Sequence, residues 1–282
     1  MIILLASIAC SVAVSILLKV VRRRSIAVDQ AIAVNYVLAS LLTLAVLRPD
    51  PASLLAPATP WWILVLLGVL LPTIFLAMAG AVRHAGIVLS DAAQRLSLFL
   101  PLLASFLIFS ESVSSLKLTG IATALLALGC LLWRPRDSAQ GRQGLATVGL
   151  LLAVWAGYGT IDILFKQLAK AGAAFSSSLL VSFALSGVLM FAYLIARKTT
   201  WTRRNLLAGV LLGLLNFGNI YFYIRAHQVY PDNPTLVFTA MNIGVISLGT
   251  LVGAGFFREK LTWFNVAGIV LAIGAIVMLV PR

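Results

Sequence analysis

The chain has 282 residues, of which 61% are apolar and 10% charged, and its formal net charge is +13. Soluble domains carry about 25% charged residues, so this composition excludes an ordinary soluble protein, which would expose large apolar patches to water. It also excludes a disordered chain, because disordered chains are poor in apolar residues. The 21 Lys and Arg residues form short clusters between apolar runs, so we expect no nucleic-acid partner. The sequence therefore indicates a multi-span protein whose partner is the lipid bilayer.

A membrane-spanning helix needs about 20 consecutive apolar residues, since no backbone polar group can stay unpaired in lipid. Short polar connections divide this chain into segments of that kind. The predicted spans are 2–21, 26–47, 61–80, 85–110, 116–133, 145–168, 174–196, 204–226, 234–257 and 262–280. We therefore predict an all-α integral membrane protein with ten transmembrane helices, multi-pass in the plasma (inner) membrane.

Glutamates repeat at an offset of 148 residues, close to half the chain: Glu111 precedes Gly120 by nine residues, and Glu259 precedes Gly268 by nine. Each glutamate lies between the fourth and fifth predicted helices of its half. We expect each to have a structural role at the start of the helix that follows it, where a carboxylate suits the free N–H groups. The alternative is that the carboxylate in each loop forms a gating ion pair. An odd number of spans per half inverts the second half relative to the first. We predict two inverted five-helix repeats, 1–137 and 138–282, an arrangement typical of alternating-access transporters.

The end of the second half, from Phe256 to Thr262 and then Gly268-Ile269 and Gly274, resembles the repeat-end pattern of the EamA-type drug/metabolite transporter superfamily. The first half carries a weaker copy, with Pro101 ten residues before Glu111. The resemblance covers nearly the whole chain and implies a ten-span transporter. It specifies no substrate, because that superfamily handles amino acids, nucleotide sugars, drugs and many other solutes.

Basic residues are distributed unequally between the two sides of the predicted bundle. Fourteen of the 21 Lys and Arg residues fall in connections after odd-numbered helices, and six follow even-numbered helices or lie at the C-terminus. The positive-inside rule then places both termini outside the cell. Members of the superfamily usually have both termini in the cytoplasm, so the resemblance implies the opposite. We favour the charge count, because the three densest clusters lie on one side.

Ionisable residues inside a span are costly and therefore mark functional candidates. Asp91 and Arg95 are four residues apart, so they lie on one helix face. They either pair with each other inside the bundle, or Arg95 faces a central cavity and binds a carboxylate or phosphate. Asp91 is the best candidate for proton coupling, although a paired arginine would hold it ionised. Asp162 and Lys166 repeat the spacing near a helix end, where a pair at the rim is expected more than substrate contact.

Amide and phenol side chains form a stripe on the eighth predicted span. Asn216, Asn219 and Tyr223 follow the spacing i, i+3 and i+7, which places them on one face of a helix. Asn242 lies 148 residues after Gln94, so the predicted symmetry makes these two residues face each other. Such a stripe either hydrogen-bonds its helix to a neighbour or lines a wet cavity. We favour the second and expect a substrate-binding cavity lined by Gln94, Arg95, Asn216, Asn219, Tyr223 and Asn242.

Motif absences narrow the function further. The chain has no phosphate-binding GxxxxGK[ST] loop, no HExxH and no GxSxG. We predict a secondary transporter of a small polar metabolite, such as an amino acid, and expect neither an enzyme, a metal nor a cofactor. One alternative is a flippase for a lipid-linked sugar, which a lateral opening would distinguish. The other is a membrane enzyme acting on lipid, against which the scattered acidic residues argue. Direction, coupling ion and a monomeric or homodimeric state stay open.

Overall fold

The computed structural model describes residues 2–24, 26–50, 52, 59–97, 99–100, 115–132, 141–171, 174–230 and 234–279. In these residues the chain is helical and has no strand. The helices are α1 (Ile2–Arg23), α2 (Val28–Leu42), α3 (Trp61–His84), α4 (Ile87–Leu96), α5 (Ser115–Leu132), α6 (Gly141–Lys170), α7 (Phe175–Ala196), α8 (Arg203–Val229), α9 (Pro234–Thr250) and α10 (Trp263–Leu279). Helices α2 and α9 continue into π-helical turns, Thr43–Leu47 and Leu251–Phe256. Residues 99–100 are also helical.

Six of these helices are long and apolar enough to cross a membrane: α1, α2 with its π-helical turn, α3, α6, α7 and α8. Helices α5, α9 and α10 contain shorter apolar stretches. The prediction of an all-α, multi-pass membrane protein is therefore confirmed. Several predicted features lie outside the described residues: part of the span 85–110, Pro101, Glu111 and the boundary at 137/138 between the two halves.

Three helices end at a basic residue with left-handed backbone conformation. Arg48, Lys198 and Arg258 have φ values of 45°, 51° and 52°, and they follow the ends of α2, α7 and α9. A left-handed residue at this position turns the chain and lets N–H groups reach the last helical carbonyls. A long basic side chain also suits the negative C-terminal pole of a helix. Each of these residues therefore ends its helix through its left-handed backbone and places a positive charge near the negative pole of that helix.

Small residues bring neighbouring helices into close contact. A Cβ atom on Gly209 of α8 would lie 2.5 Å from the Cβ atom of Val34 on α2. The same side of α8 carries Gly213, which also packs on α2. In α10, a Cβ atom on Gly268 would lie 3.0 Å from the carbonyl oxygen of Ala127 on α5. The Gly-x-x-x-Gly pattern of α8 is thus used for packing within the chain.

Contacts between helix connections define one end of the bundle. The side-chain oxygen of Asn205, at the start of α8, accepts a hydrogen bond of 3.3 Å from the N–H of Ala27, between α1 and α2. The carboxylate of Glu259, between α9 and α10, pairs with Lys19 of α1 and accepts from the N–H of Ile87 at the start of α4. We call this the basic end: the connections α1–α2, α3–α4, α7–α8 and α9–α10. The other end is the opposite end.

Candidate functional site

Two adjoining cavities lie inside the helix bundle, with volumes of about 260 and 290 Å³. We call the first the charged cavity, because Arg95 and Asp162 line it together with Tyr223 and Asn242. We call the second the aromatic cavity, after its walls of Tyr36, Phe75, Phe165 and Phe183. The residues common to both linings are Gln94, Tyr158, Asp162, Asn219 and Ile220. The two spaces therefore meet along a polar border.

All six residues that the sequence analysis predicted as substrate-binding line one of these two cavities. Gln94, Arg95, Asn219, Tyr223 and Asn242 line the charged cavity. Asn216 lines the aromatic cavity, and its side-chain nitrogen donates a hydrogen bond of 3.1 Å to the side-chain oxygen of Asn35 on α2. The i, i+3, i+7 stripe of α8 thus faces the bundle interior over two turns.

The charged cavity extends toward the opposite end of the bundle. Phe175, the first residue of α7, is part of its wall. Arg95 lies eight residues after Ile87, where α4 begins at the basic end, so at 1.5 Å per residue it is about 12 Å along the helix. The charged groups are therefore well inside the bundle and displaced from the basic end.

Arg95 is held by neutral partners on two other helices. One Nη atom donates a hydrogen bond of 2.8 Å to the hydroxyl of Ser11 on α1, and the other donates one of 3.4 Å to the side-chain oxygen of Asn242 on α9. Its buried Nε atom has no hydrogen-bond partner. A guanidinium has five N–H donors, so Arg95 retains unused donors for a ligand.

Asp91 turns toward α1 and not toward Arg95. One carboxylate oxygen accepts a hydrogen bond of 2.7 Å from the hydroxyl of Ser15, and the other has no partner. The aspartate is 2% exposed, and α9 closes over it at Gly249, where a Cβ atom would lie 2.8 Å from the unpartnered oxygen. The i, i+4 spacing therefore places Asp91 and Arg95 on one face without a direct ion pair, because each side chain has found a serine of α1.

The sequence analysis did not predict that α1 contributes polar residues to the site. Ser7, Ser11, Ser15 and Lys19 recur every four residues and therefore lie along one side of the helix. Each one contacts a polar partner on another element: Asn219, Arg95, Asp91 and Glu259, in that order. Helix α1 thus contacts polar or charged groups of α8, of α4 and of the α9–α10 connection along its length.

A second missed stripe lies on α6. Trp155, Tyr158 and Asp162 follow the spacing i, i+3 and i+7. The indole N–H of Trp155 donates a hydrogen bond of 3.1 Å to the carbonyl of Leu96 at the end of α4, and the other two residues line both cavities. Asp162 therefore faces the shared space and not the rim where the sequence analysis expected it. Lys166, one turn further along, is not part of either lining.

Contacts around one carboxylate join three elements at the basic end. Glu259 forms an ion pair with Lys19, and its two oxygens accept hydrogen bonds of 2.8 and 3.1 Å from the N–H groups of Ile87 and Val88. Lys19 also lies over the ring of Phe257, 4.7 Å from its centre. We call the contacts among Lys19, Glu259 and the first turn of α4 the clamp. It joins α1, α4 and the α9–α10 connection.

The expectation that Glu259 caps the helix following it is wrong, because its carboxylate caps α4 instead. Helix α10 is capped by its own residues: the hydroxyl of Thr262 accepts from the N–H of Asn265, and the side-chain oxygen of Asn265 accepts from the N–H of Thr262. This reciprocal cap leaves the carboxylate of Glu259 free to serve a helix of the other half. Gly120 is buried in α5 and Gly268 packs in α10, so both are packing positions.

Comparison with known proteins shows a family and a fold. No family model matches the chain. An uncharacterized protein of Haemophilus influenzae is 49% identical over 280 residues, which cover 97% of this chain and 95% of that protein. The chain belongs to the same family as that protein. A solved crystal structure matches the family's fold with a TM-score of 0.59 and 16% identity, over 98% of this chain and 94% of its own. At that identity the match shows the fold alone.

Proposed function

We propose that this protein is a secondary transporter that moves a small polar metabolite across the plasma membrane by alternating access. The observation that carries the proposal is the asymmetry of the bundle: the charged cavity extends toward the opposite end, while the clamp joins α1, α4 and the α9–α10 connection at the basic end. Charged side chains inside membrane helices are costly and are kept where they meet water, a ligand or each other. A carrier caught with one end closed has this arrangement.

We also propose ten membrane spans as two inverted five-helix repeats, in a member of the drug/metabolite transporter superfamily. The helix packing supports this. Helix α1 packs on α8 and α9, and α2 packs on α8, whereas α6 packs on α3 and α4, and α7 packs on α3. Exchanging each helix for the one five positions away converts the first set of contacts into the second. The pairs α2–α7, α4–α9 and α5–α10 are unchanged by the exchange, as expected of a pseudo-two-fold axis.

In the proposed cycle, the solute enters from the opposite end and binds Arg95 and the amides, whose hydrogen bonds replace its hydration shell. Release at the other side requires the clamp to open, so that α1, α4 and the α9–α10 connection separate. By the positive-inside rule the basic end faces the cytoplasm, and this conformation is then open to the outside. The driving force is a gradient of the solute or of a coupled ion, and no chemical step is proposed.

Counterflow in proteoliposomes tests the function. Vesicles are loaded with an unlabelled solute, diluted, and given a trace of the same labelled solute, over a panel of amino acids, sugars, nucleosides and organic acids. A carrier gives transient accumulation of label above equilibrium without ATP. We expect Arg95→Gln to abolish it and Arg225→Gln, an exposed arginine of α8, to leave it intact. Simple equilibration, or no movement of any member of the panel, would contradict the proposal.

A further inference from the structure

The charged cavity contains two opposite charges on different helices. Arg95 projects from α4 and Asp162 from α6, and both side chains line the same space. Among the described residues the Asp162 carboxylate has no hydrogen-bond partner, although it is half-buried. Among the residues that the structure describes, the Nη atoms of Arg95 donate hydrogen bonds to two neutral groups, the hydroxyl of Ser11 and the side-chain oxygen of Asn242. Both groups therefore present unused hydrogen-bonding capacity in the same cavity.

A ligand with a single charge suits this cavity poorly. A simple anion on Arg95 would lie beside the carboxylate of Asp162, and a simple cation on Asp162 would lie beside the guanidinium. In the low-dielectric interior of a helix bundle an uncompensated or repelled charge is costly, because charges there are screened far less than in bulk water. A ligand that carries one charge of each sign, and no net charge, satisfies both residues at once.

The adjoining aromatic cavity adds a requirement for an apolar body. Tyr36 packs edge-on against Phe75, with ring centres 6.4 Å apart. It packs at a tilt of 46° against Phe183, with ring centres 6.0 Å apart. Leu71, Ile74 and Met78 of α3 complete that wall. Gln94 and Asn219 form the polar border with the charged cavity. Three other polar lining residues, Ser11, Ser15 and Asn216, are hydrogen-bonded to Arg95, Asp91 and Asn35 respectively. A ligand spanning both spaces therefore has a polar head and a large apolar group.

We propose that the solute is a zwitterion with a large apolar side chain, of the α-amino-acid type. Its carboxylate binds the guanidinium of Arg95, its ammonium binds the carboxylate of Asp162, and its side chain occupies the aromatic cavity. Asp162 is then a substrate-binding residue, and the two cavities select together for charge balance and for apolar size. This inference rests on the transport function and names the substrate class of the same site.

Functional-group deletion on the ligand, combined with substitution of the protein, tests the assignment. The probes are L-phenylalanine, 3-phenylpropanoate without the ammonium, 2-phenylethylamine without the carboxylate, and glycine without the side chain. Binding to the full-length protein in nanodiscs is measured by titration calorimetry. For the unmodified protein we expect L-phenylalanine to bind at least about 100-fold more tightly than each of the other three. Deletion of the ammonium or the carboxylate leaves a buried charge unpaired, whereas glycine loses the apolar area that the side chain would bury.

The variants predict a crossed pattern. Asp162→Asn weakens L-phenylalanine about 100-fold, to the level of 3-phenylpropanoate, and leaves 3-phenylpropanoate unchanged or tighter. Arg95→Gln weakens the binding of L-phenylalanine about 100-fold, to the level of 2-phenylethylamine, and leaves the binding of 2-phenylethylamine unchanged or tighter. Asp29→Asn and Arg225→Gln are the matched controls and change none of the affinities. A misfolded variant would lose every probe equally, so the selective loss distinguishes a binding role from a structural one.

Several results would overturn the inference. Equal binding of L-phenylalanine and either single-charge analogue would show that the site does not require a zwitterion. Equal binding of L-phenylalanine and glycine would show that it does not require an apolar side chain. If Asp162→Asn keeps its fold but binds none of the probes, the assignment of Asp162 as the residue that binds the ammonium group is refuted. Binding of L-phenylalanine without counterflow would refute transport and keep the substrate assignment. Counterflow of another solute without binding of L-phenylalanine would refute the assignment and keep transport.

Discussion

The clamp gives the sharpest prediction about conformational change. Replacing Glu259 with glutamine keeps the shape of the side chain but removes the charge that pairs with Lys19 and faces the first turn of α4. Hydrogen bonds to charged groups contribute about 1.5–3 kcal/mol, and a charge at a helix N-terminus adds about 0.3–1 kcal/mol. Since glutamine retains one acceptor oxygen, we expect the closed state to lose about 2 kcal/mol. That corresponds to about a 30-fold increase in the population with the basic end open.

A buried cysteine behind the clamp reports that population. Ser90, in the first turn of α4, is fully buried and differs from cysteine by one atom. The assay uses Ser90→Cys after replacement of Cys10 and Cys130 by alanine, in membranes that expose the basic end. A membrane-impermeant maleimide should then label Glu259→Gln about 30-fold faster than the parent, since labelling requires opening.

The control and the coupling test use neighbouring charges. Lys260 is adjacent in sequence and exposed, so Lys260→Gln should leave the labelling rate unchanged. Lys19→Gln should accelerate labelling, and the double variant with Glu259→Gln should exceed the single variants by less than the product of their effects. Equal labelling of the parent and of Glu259→Gln would refute the reasoning and reduce the clamp to an ordinary helix cap.

Three further predictions concern stability, each measured as the apparent melting temperature in detergent. Gly86→Ala should destabilise the fold by about 1–3 kcal/mol, because φ is 92° and a Cβ atom would lie 2.6 Å from the carboxyl carbon of Glu259. The control is Gly274→Ala, where the space around the glycine is open. Equal melting temperatures of the two variants would contradict this prediction. Asn205→Ala should cost about 1–3 kcal/mol, since it leaves the buried side chain of Gln30 without its 2.7 Å donor; parent-like melting would show that the amide pair contributes nothing. Trp155→Phe should cost about 1 kcal/mol through the lost indole hydrogen bond, and an unchanged melting temperature would mean that the carbonyl is satisfied otherwise.

The length of the apolar runs was sufficient to predict an all-helical chain, and periodicity was sufficient to predict one wall of the site. A stripe such as Asn216, Asn219 and Tyr223 stands out because its polar groups interrupt an otherwise apolar helix. The equivalent stripe on α6 has the same spacing but includes Trp155. Tryptophan does not interrupt an apolar pattern in the sequence, although its indole N–H is a hydrogen-bond donor. The spacing alone thus identified one polar face and missed another of the same geometry.

Partners between distant segments could not be predicted from local spacing. Asp91 and Arg95 are one helical turn apart, yet each contacts a serine of α1 that lies 76 or 84 residues away in sequence. Glu259 precedes α10 but caps α4, 172 residues earlier. In both cases tertiary packing supplies a partner with better geometry than the neighbour along the chain. The four-residue spacing of Ser7, Ser11, Ser15 and Lys19 was the available signal, and serine is too common in membrane helices to mark it.

Accessibility of one cavity residue from both sides of the membrane tests the central claim most directly. Asn219 lines both cavities, and the variant Asn219→Cys without other cysteines can be labelled with an impermeant maleimide from either end. Alternating access predicts fast labelling from the opposite end and slower labelling from the basic end, with Glu259→Gln shifting the rates in favour of the basic end. Labelling from the opposite end alone, unchanged by Glu259→Gln, would show a blind pocket and contradict the transport mechanism.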